Sequence, residues 1–347
     1  MNESCPDEIT PHTMKSKEIE FACVSIAVSF LVASLLLDIF YVFVLKVILS
    51  CREWRRKSFY QFIVFIGIFD CIQLTFHFLT GIMHLVFHFN SYIQNYSYYV
   101  VKAMGAVHIA SWFPNSVATL LLAVDRFIAF VYPWLSPILF SKLLIKLHFL
   151  AMIVLFGFIC AIMLSPYASF IYDPENFGWD CQQCKPLCKI FSRFDQLSTA
   201  ICALLTFVIY LLIARRAFQL RGASSISRMS PHEVRLTVQM IVMIIFQLFI
   251  VAFWEFDMDV TKQKDMYANA ISMTLWMLWN GCNPFIYLLF NKALRKKFVA
   301  HCRSLRSILG ERIEKISQTD CKINEVFRNS AISSSRKVIF VSQLNNA

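Results

Sequence analysis

The chain has 347 residues, of which 58% are hydrophobic and 16% charged, and its mean hydropathy is +0.57. Soluble globular proteins are about 45–50% apolar and about 25% charged, so this composition excludes an ordinary soluble domain. The net charge of +11 suits either a nucleic-acid-binding protein or the cytoplasmic face of a membrane protein, and the positions of the basic residues distinguish the two.

Seven apolar stretches are long enough to cross the hydrocarbon core of a bilayer, for which about 20 helical residues suffice. In chain order they are Phe21–Leu49, Phe59–Phe87, Met104–Tyr132, Leu144–Ile171, Leu197–Ile213, Leu236–Phe256 and Met266–Phe290. Residues 1–19 are polar and of mixed charge, so we expect the first span to act as an uncleaved signal anchor. The predicted fold is an all-α membrane protein, a seven-transmembrane helix bundle over residues 20–304 with a short amphipathic eighth helix.

The basic residues predict the orientation of this bundle. If residues 1–19 are extracellular, the inner segments up to residue 304 contain 18 basic residues and the outer segments contain eight. Basic residues concentrate on the cytoplasmic side of membrane proteins, so we expect a multi-pass protein of the plasma membrane with a cytoplasmic C-terminus. Two glycosylation sequons, at Asn2 and Asn95, lie outside in this topology. The same distribution excludes nucleic acid as a partner.

Four cysteines fall in the predicted outer segments: Cys5, Cys181, Cys184 and Cys188. An even number of cysteines in an oxidising compartment predicts two disulfides, and four cysteines allow three pairings. The spacing of the last three also resembles half of a zinc site, but a fourth ligand is not evident. We therefore favour disulfides and expect no metal.

Two short motifs stand near the ends of two spans. They are Asp125-Arg126-Phe127 in the third and Asn283-Pro284-x-x-Tyr287 in the seventh. At these places in a chain of seven spans they resemble the Asp-Arg-Tyr and seventh-helix motifs of rhodopsin-like G-protein-coupled receptors. The resemblance covers about residues 20–304. It implies a receptor, not an enzyme, that couples an outer ligand to a cytoplasmic heterotrimeric G protein.

The motif residues predict an activation switch. An arginine at the cytoplasmic end of a helix is tolerated when it is paired or hydrated. The candidate partners of Arg126 are Asp125 and, from the sixth helix, either Glu233 or a backbone carbonyl. Release of the pair would open a crevice for a partner helix. The other residues expected to act in this switch are Phe127, Tyr210, Asn283, Pro284 and Tyr287. The alternative is that Arg126 only anchors its helix on the cytoplasmic side.

Asp70 lies in the middle of the second span. An ionisable residue inside a membrane is a functional hypothesis by default. Its expected neighbours are Asn115, Asn280 and Asn283. Together they resemble the sodium pocket of the receptor family, which implies Na⁺ as an allosteric ion and no other cofactor. The alternative is a polar cluster that only ties helices together.

The segment after the seventh span predicts a surface helix and a tail. Residues 292–304 place apolar side chains on one face and basic side chains on the other, a pattern typical of a helix that lies among the lipids of the inner leaflet. Cys302 in this helix is a palmitoylation candidate. Residues 305–347 are polar and include Ser333–Ser335, so we expect a cytoplasmic tail that is disordered until bound. The receptor resemblance implies arrestin as a partner of this tail.

Polar and aromatic residues toward the outer halves of the spans are candidate lining residues of a ligand pocket. They are His77, His84, His108, Trp112, Tyr167, Trp254, Glu255 and Trp276. Packing between helices is the alternative for each of them. His108 stands where amine receptors keep an aspartate, which predicts a small-molecule ligand other than a biogenic amine. His84 and His88 have the spacing of one iron-binding histidine box, but the remaining histidines build no second one.

The chain also departs from the rhodopsin-like pattern. Val101 stands where the family keeps the cysteine that bonds the second outer loop, and the fourth, fifth and sixth spans lack their usual Trp and Pro landmarks. These losses resemble the nematode serpentine chemoreceptors, and residues 125–141 and 172–179 are most similar to their class x. The resemblance implies a chemosensory function, with a sensory-neuron cilium as the location. A membrane transporter or channel is the alternative, against which stand the lack of a visible repeat and the eight glycines.

Overall fold

A computed structural model of the chain describes residues 17–89, 98–174, 177–221, 231–260, 266–304, 306–307 and 310. Within these ranges, the side chains of residues 17–22, 87–89, 218, 220–221, 231–237, 255–260 and 266 lie outside the description. The same is true of all of Cys5, Asn2, Asn95 and Ser333–Ser335, and of the side chains of Glu233 and Glu255.

Each of the seven predicted spans coincides with one long helix. The helices are α1 (Lys17–Ser50), α2 (Ser58–Phe89), α3 (Tyr98–Val131), α4 (Lys142–Leu164), α5 (Pro186–Arg221), α6 (Pro231–Val260) and α7 (Met266–Phe290). A 3₁₀ turn, Trp54–Arg56, joins α1 to α2, and a single helical turn, Ser136–Leu139, precedes α4. Among the described residues, α1 to α5 are long and apolar enough to cross a membrane, and α6 carries a shorter apolar segment, Val238–Trp254. The predicted all-α, seven-helix bundle is therefore confirmed, and the amphipathic eighth helix stays a prediction.

The predicted boundaries of the fourth and fifth spans were wrong. Helix α4 ends at Leu164, because Ser165 precedes a proline and adopts an extended backbone with ψ of 162°. The apolar residues that follow form strand β1 (Phe170–Asp173), which pairs antiparallel with β2 (Gly178–Cys181). Helix α5 begins at Pro186, about three turns before the predicted start, since a proline is well tolerated in the first turn of a helix.

Helix α3 is the central element of the bundle. It packs against α2, α4 and α5, and also against strand β1. In the most apolar segment of α3, 67% of the residues are buried, compared with 17% in that of α4. The exposed face of α4 carries Leu143, Val154 and Phe158, each more than 60% exposed. Such a face suits contact with lipid, whereas α3 holds the residues around which a site can be built.

The β-hairpin closes one end of the bundle and is held by specific contacts. Trp179 donates from Nε1 to Thr80 Oγ1 at 2.8 Å, and His84 Nδ1 lies 2.9 Å from the Tyr172 hydroxyl. Burial, with the charge of Asp173 adding to it, raises the pKa of Tyr172 well above its usual range, so this hydroxyl stays protonated. The hairpin is therefore fixed to α2 through two side-chain hydrogen bonds.

The close approach of the hairpin to α3 requires a glycine. A Cβ atom at Gly105 would lie 1.9 Å from the carbonyl oxygen of Phe170 in β1. No side chain is compatible with that distance, and the obstacle is backbone, which cannot rotate aside. Gly105 therefore sets how deeply the hairpin sits against the bundle.

The chain divides into two compact units, Met1–Leu294 and Arg295–Ala347. Residues 292–304 are helical, as expected for the segment after the last span. Cys302 is exposed and is a free thiol. The location of this helix on the inner leaflet and the palmitoylation of Cys302 stay predictions.

Candidate functional site

Asp125 and Arg126 form an ion pair near the end of α3. Arg126 Nε donates to Asp125 Oδ2 at 3.0 Å, and a second guanidinium nitrogen donates to the same oxygen. The Asp125 side chain is fully buried, whereas 22% of the Arg126 side chain is exposed. A buried carboxylate is costly without partners, so the neighbouring guanidinium stabilises Asp125 in this position.

Two residues at the start of α2 complete the environment of this pair. Ser58 Oγ donates to Asp125 Oδ1 at 2.8 Å. The guanidinium carbon of Arg126 lies 4.8 Å from the centroid of the Phe59 ring, a cation–π contact. The sequence predicted neither partner, because a serine before an apolar run is typical of a helix start and a phenylalanine within it is typical of packing.

Tyr210 of α5 and Tyr287 of α7 are each 1% exposed. Within the described part of the chain, the Tyr210 hydroxyl has no hydrogen-bond partner. Since an unpaired buried hydroxyl costs free energy, a rearrangement that brought an acceptor or the solvent to it would be favoured. Pro284 lies inside α7, where it removes one helical hydrogen bond next to the turn that carries Tyr287. Phe127 is half-buried and contacts Tyr132 edge-on, with ring centroids 6.2 Å apart.

Asp70 is fully buried and accepts three hydrogen bonds from three other helices. Asn115 Nδ2 donates to Oδ1 at 2.6 Å, and Asn283 Nδ2 donates to Oδ2 at 2.7 Å. The hydroxyl of Tyr41, from α1, also donates to Oδ2 at 2.7 Å. The structure therefore joins α1, α2, α3 and α7 at one carboxylate, and Tyr41 is a partner that the sequence did not predict.

Asn280 lies in a second layer, one helical turn away from Asp70. Its Nδ2 atom donates to Gln73 Oε1 at 3.1 Å, and Trp276 Nε1 donates to the same oxygen at 2.6 Å. Gln73 follows Asp70 by three residues on α2, and Asn280 precedes Asn283 by three on α7, so the two layers stack along the same pair of helices. Asn280 was expected beside Asp70, but it supports the neighbouring turn instead.

The Asp70 cluster does not fit a sodium ion in this arrangement. A hard cation needs oxygen acceptors that face it. The three groups that face Asp70 all donate hydrogen bonds to it, and the carboxylate has no exposed surface. The cluster is better described as a hydrogen-bonded carboxylate that ties four helices together.

A cavity of about 420 Å³ lies beneath the hairpin, between α3, α5, α6 and α7. We call it the hairpin cavity. Three of the predicted pocket residues line it, namely Trp112, Trp254 and Trp276. Its volume lies within the range of about 300–1,000 Å³ that is usual for small-molecule sites. On α3, Trp112 precedes Asp125 by 13 residues, so the cavity and the ion pair are about 20 Å apart along the helix.

The predicted histidines are not among the described residues that line this cavity. His77 and His108 are fully buried and pack against each other and against Trp276, with the His108 and Trp276 rings stacked at 4.4 Å. His84 is engaged by Tyr172 of the hairpin. Tyr167 is 61% exposed and also lies away from the cavity lining. Packing, the alternative interpretation, therefore describes the three histidines, whereas Tyr167 is exposed.

The sequence missed most of the polar lining of the hairpin cavity. Asp173 and Asp180 come from the hairpin, and Asp195, Thr199 and Gln196 come from the first turns of α5. Carboxylates in outer segments are usually solvated, and α5 was predicted to begin only at Leu197. An earlier start of α5 is the one signal that would have placed Asp195 on a helix facing the bundle.

Cys181 and Cys188 form a disulfide that ties β2 to the first turn of α5. Cys184 is also disulfide-bonded. The preference for disulfides over a zinc site is therefore confirmed for the described cysteines. Among the described residues, no group of three or more His, Cys, Asp or Glu side chains is arranged to hold a metal ion.

The sequence was compared with models of protein families. The model described as serpentine type 7TM GPCR chemoreceptor Srt matches residues 4–309, which is most of the chain. The chain belongs to this family of serpentine chemoreceptors. The resemblance to nematode serpentine receptors is therefore confirmed, and the matching model specifies Srt where the sequence alone favoured class x. No curated relative matches the receptor.

The features described above are arranged along the helices of this receptor. The model that matches the chain describes GPCR chemoreceptors, and the described helices of the receptor include several of membrane length. The hairpin cavity lies at the middle of α3 and the Asp125–Arg126 pair lies near its end. The Asp70 cluster and the Gln73 layer lie between them on α2 and α7.

Proposed function

We propose that the receptor binds an extracellular small molecule in the hairpin cavity and thereby activates a heterotrimeric G protein. The observation that supports this most directly is the position of Trp276. It lines the cavity and donates a hydrogen bond to Gln73, one turn from the Asp70 cluster. The cavity is therefore in contact with the polar core that leads toward Tyr287.

The mechanism is a shift between two arrangements of the helices. A ligand favours one arrangement only by the difference in its affinity for the two. In the arrangement described here, Arg126 is held by Asp125 and covered by Phe59. In the active arrangement Arg126 leaves this pair, and the buried hydroxyls of Tyr210 and Tyr287 turn toward the space that a G-protein helix enters.

The orientation and location follow from the same proposal. The hairpin side faces outward and the basic segments between the helices face the cytoplasm. Asn2 and Asn95 carry glycans, Cys302 carries a palmitoyl chain, and arrestin binds the tail that contains Ser333–Ser335. The receptor resides in the plasma membrane, in the cilium of a sensory neuron. Epitope tags at the two termini, detected on intact and on permeabilised cells, test the orientation.

The deciding experiment for signalling is a ligand screen in cells that report calcium or cyclic nucleotide. We expect Arg126→Ala to lose ligand-driven G-protein activation at unchanged surface expression. Arg52→Ala is the matched control, because Arg52 is an exposed basic residue beside the 3₁₀ turn and belongs to no described ion pair. Ligand-driven activation that survives in Arg126→Ala at the wild-type level would refute the switch.

A further inference from the structure

The charged residues that line the hairpin cavity in the described part of the chain are acidic. Asp173 and Asp180 lie at its hairpin side and Asp195 lies on α5. Among the described lining residues there is no lysine, arginine or histidine. A cleft lined by charges of one sign raises the local concentration of ligands of the opposite sign. The charge of the lining therefore favours a cationic ligand.

The aromatic lining points to the same class of ligand. Four of the seven tryptophans of the chain line the cavity: Trp112, Trp179, Trp254 and Trp276. The centroids of the Trp112 ring and the Trp254 and Trp276 rings are 5.7 and 5.9 Å apart, and those of Trp254 and Trp276 are 6.2 Å apart. Indole gives the strongest cation–π contacts of the protein side chains, and aromatic cages recognise ammonium groups.

One carboxylate is tied to this tryptophan group by hydrogen bonds. Trp112 Nε1 donates to Thr199 Oγ1 at 2.9 Å, and Thr199 Oγ1 donates to Asp195 Oδ1 at 3.4 Å. Trp112 and Thr199 are 3% and 7% exposed. The chain Trp112–Thr199–Asp195 therefore positions a carboxylate beside an aromatic group within one cavity.

The position of His108 does not argue against a cation in this cavity. Amine receptors use an aspartate at that place on the third helix, and this receptor has a histidine that is stacked away from the cavity on Trp276. The structure places the acidic group on α5 instead. The negative charge is therefore supplied by α5 and not by α3, and it faces the same space between α3, α5, α6 and α7.

Trp254 indicates that the ligand also carries a hydrogen-bond acceptor. Its Nε1 atom is buried and has no hydrogen-bond partner in the described part of the chain, although Trp254 lines the cavity. Buried N–H groups are nearly always paired. A ligand atom that accepts a hydrogen bond would satisfy this donor.

We infer that the hairpin cavity selects a small organic cation, an alkylammonium group held by Asp195 and the tryptophans, with a hydrogen-bond acceptor that reaches Trp254. This inference rests on the proposed function, because it assigns the ligand class of the same cavity. The cation contacts the indole surface that faces the cavity, beside the Asp195 carboxylate.

The test uses the full-length receptor, purified in lipid nanodiscs, and matched probes. The first pair is phenylpropyltrimethylammonium and the uncharged compound in which carbon replaces its quaternary nitrogen. Titration is followed by tryptophan fluorescence, with four indoles at the site as reporters. We expect the cation to bind about tenfold more tightly than its neutral counterpart. Phenoxyethyltrimethylammonium, in which an ether oxygen replaces one methylene group, is expected to bind more tightly again.

Two carboxylate variants make the test specific. Asp195→Asn keeps the shape of the side chain and removes its charge, and we expect the affinity for the cation to fall about tenfold while the neutral compound is unaffected. Glu53→Gln removes a charge from the exposed start of the 3₁₀ turn at the other end of the bundle, and we expect no change. Thermal unfolding of both variants verifies that they remain folded.

Equal affinity of the wild-type receptor for the cation and its neutral counterpart would overturn the inference without any variant. So would equal effects of Asp195→Asn and Glu53→Gln. Because binding is measured without G protein, cation binding in a receptor that activates no G protein contradicts only the proposed function. Conversely, activation by a neutral or anionic ligand that competes for the cavity upholds the receptor function and overturns the assignment of ligand class.

Discussion

The hydroxyl of Ser58 donates a 2.8 Å hydrogen bond to Asp125, so the first residue of α2 holds the carboxylate that pairs with Arg126. Phe59, the next residue, covers the guanidinium group. In the described conformation the start of α2 therefore restrains the ion pair. The sequence predicts Glu233 of α6 as a further partner of Arg126, and the Glu233 side chain lies outside the described residues.

Removal of the Ser58 hydroxyl should raise basal signalling. Ser58→Ala deletes a hydrogen bond that exists only while Asp125 keeps its present position, and the loss of about 1 kcal/mol shifts a two-state equilibrium about fivefold. The measurement is ligand-independent G-protein activation at matched surface expression. Ser50→Ala is the control, because that hydroxyl makes local contacts at the end of α1, with the carbonyl of Val47 and the thiol of Cys51. Basal activity no higher than that of the control would contradict the prediction.

Loss of the Tyr41 hydroxyl should destabilise the bundle. In Tyr41→Phe the buried Asp70 carboxylate keeps two of its three donors. We therefore expect the free energy of unfolding to fall by about 1–3 kcal/mol. Thermal unfolding in nanodiscs measures the loss. Tyr132→Phe, at a 41% exposed position beyond α3, should leave stability unchanged.

The same measurement in different salts tests whether the Asp70 cluster binds sodium. Three donors already face the carboxylate, so the wild-type receptor should unfold at the same temperature in sodium chloride and in potassium chloride at equal ionic strength. A clear stabilisation by sodium that is specific to the wild type and lost in Asp70→Asn would show that the cluster rearranges to accept the ion.

Two glycines provide a matched pair for the seating of the hairpin. Gly105→Ala places a Cβ atom against the Phe170 carbonyl, and we expect a loss of more than about 3 kcal/mol and little receptor at the cell surface. Gly157→Ala, in α4, meets no atom within 4 Å, and it should stabilise its helix by about 0.5–1 kcal/mol. Surface labelling of both variants gives the comparison. Wild-type expression of Gly105→Ala would show that the hairpin does not sit as described.

The disulfide between β2 and α5 should support both stability and the cavity. It closes a loop with a sequence separation of 7, for which the loop-entropy relation gives about 2–3 kcal/mol. The double variant Cys181→Ser, Cys188→Ser should therefore unfold at a lower temperature and bind cavity ligands more weakly, because Cys181 lines the cavity. Cys302→Ser, at an exposed free thiol, is the control. Equal unfolding temperatures for the two variants would contradict this.

The helices were predictable because a membrane span needs a long apolar run, and α1, α2 and α7 follow such runs closely. The run after α4 was misread, because Phe170, Ile171 and Tyr172 suit a buried strand as well as a helix, and periodicity cannot separate the two over so few residues. Gly105, which lets that strand approach α3, gives no sign of this in the sequence.

The polar core was partly predictable for a similar reason. A carboxylate such as Asp70 in an apolar span can be recognised from the sequence as a functional candidate, and so can the asparagines that reach it. Tyr41 does not, because an aromatic residue in a span is ordinary, and only the fold brings its hydroxyl to Asp70. The cavity acids were missed because charge outside a span is unremarkable until a hairpin folds over it.

Trp276 shares the acceptor oxygen of Gln73 with Asn280. A ligand that displaces the indole must therefore break this bond, and Asn280 then has the oxygen to itself. Under the proposed function, such a ligand would therefore reduce the donors to this amide oxygen from two to one. Under the same proposal, a ligand that enters the cavity and leaves the indole in place would act as an antagonist.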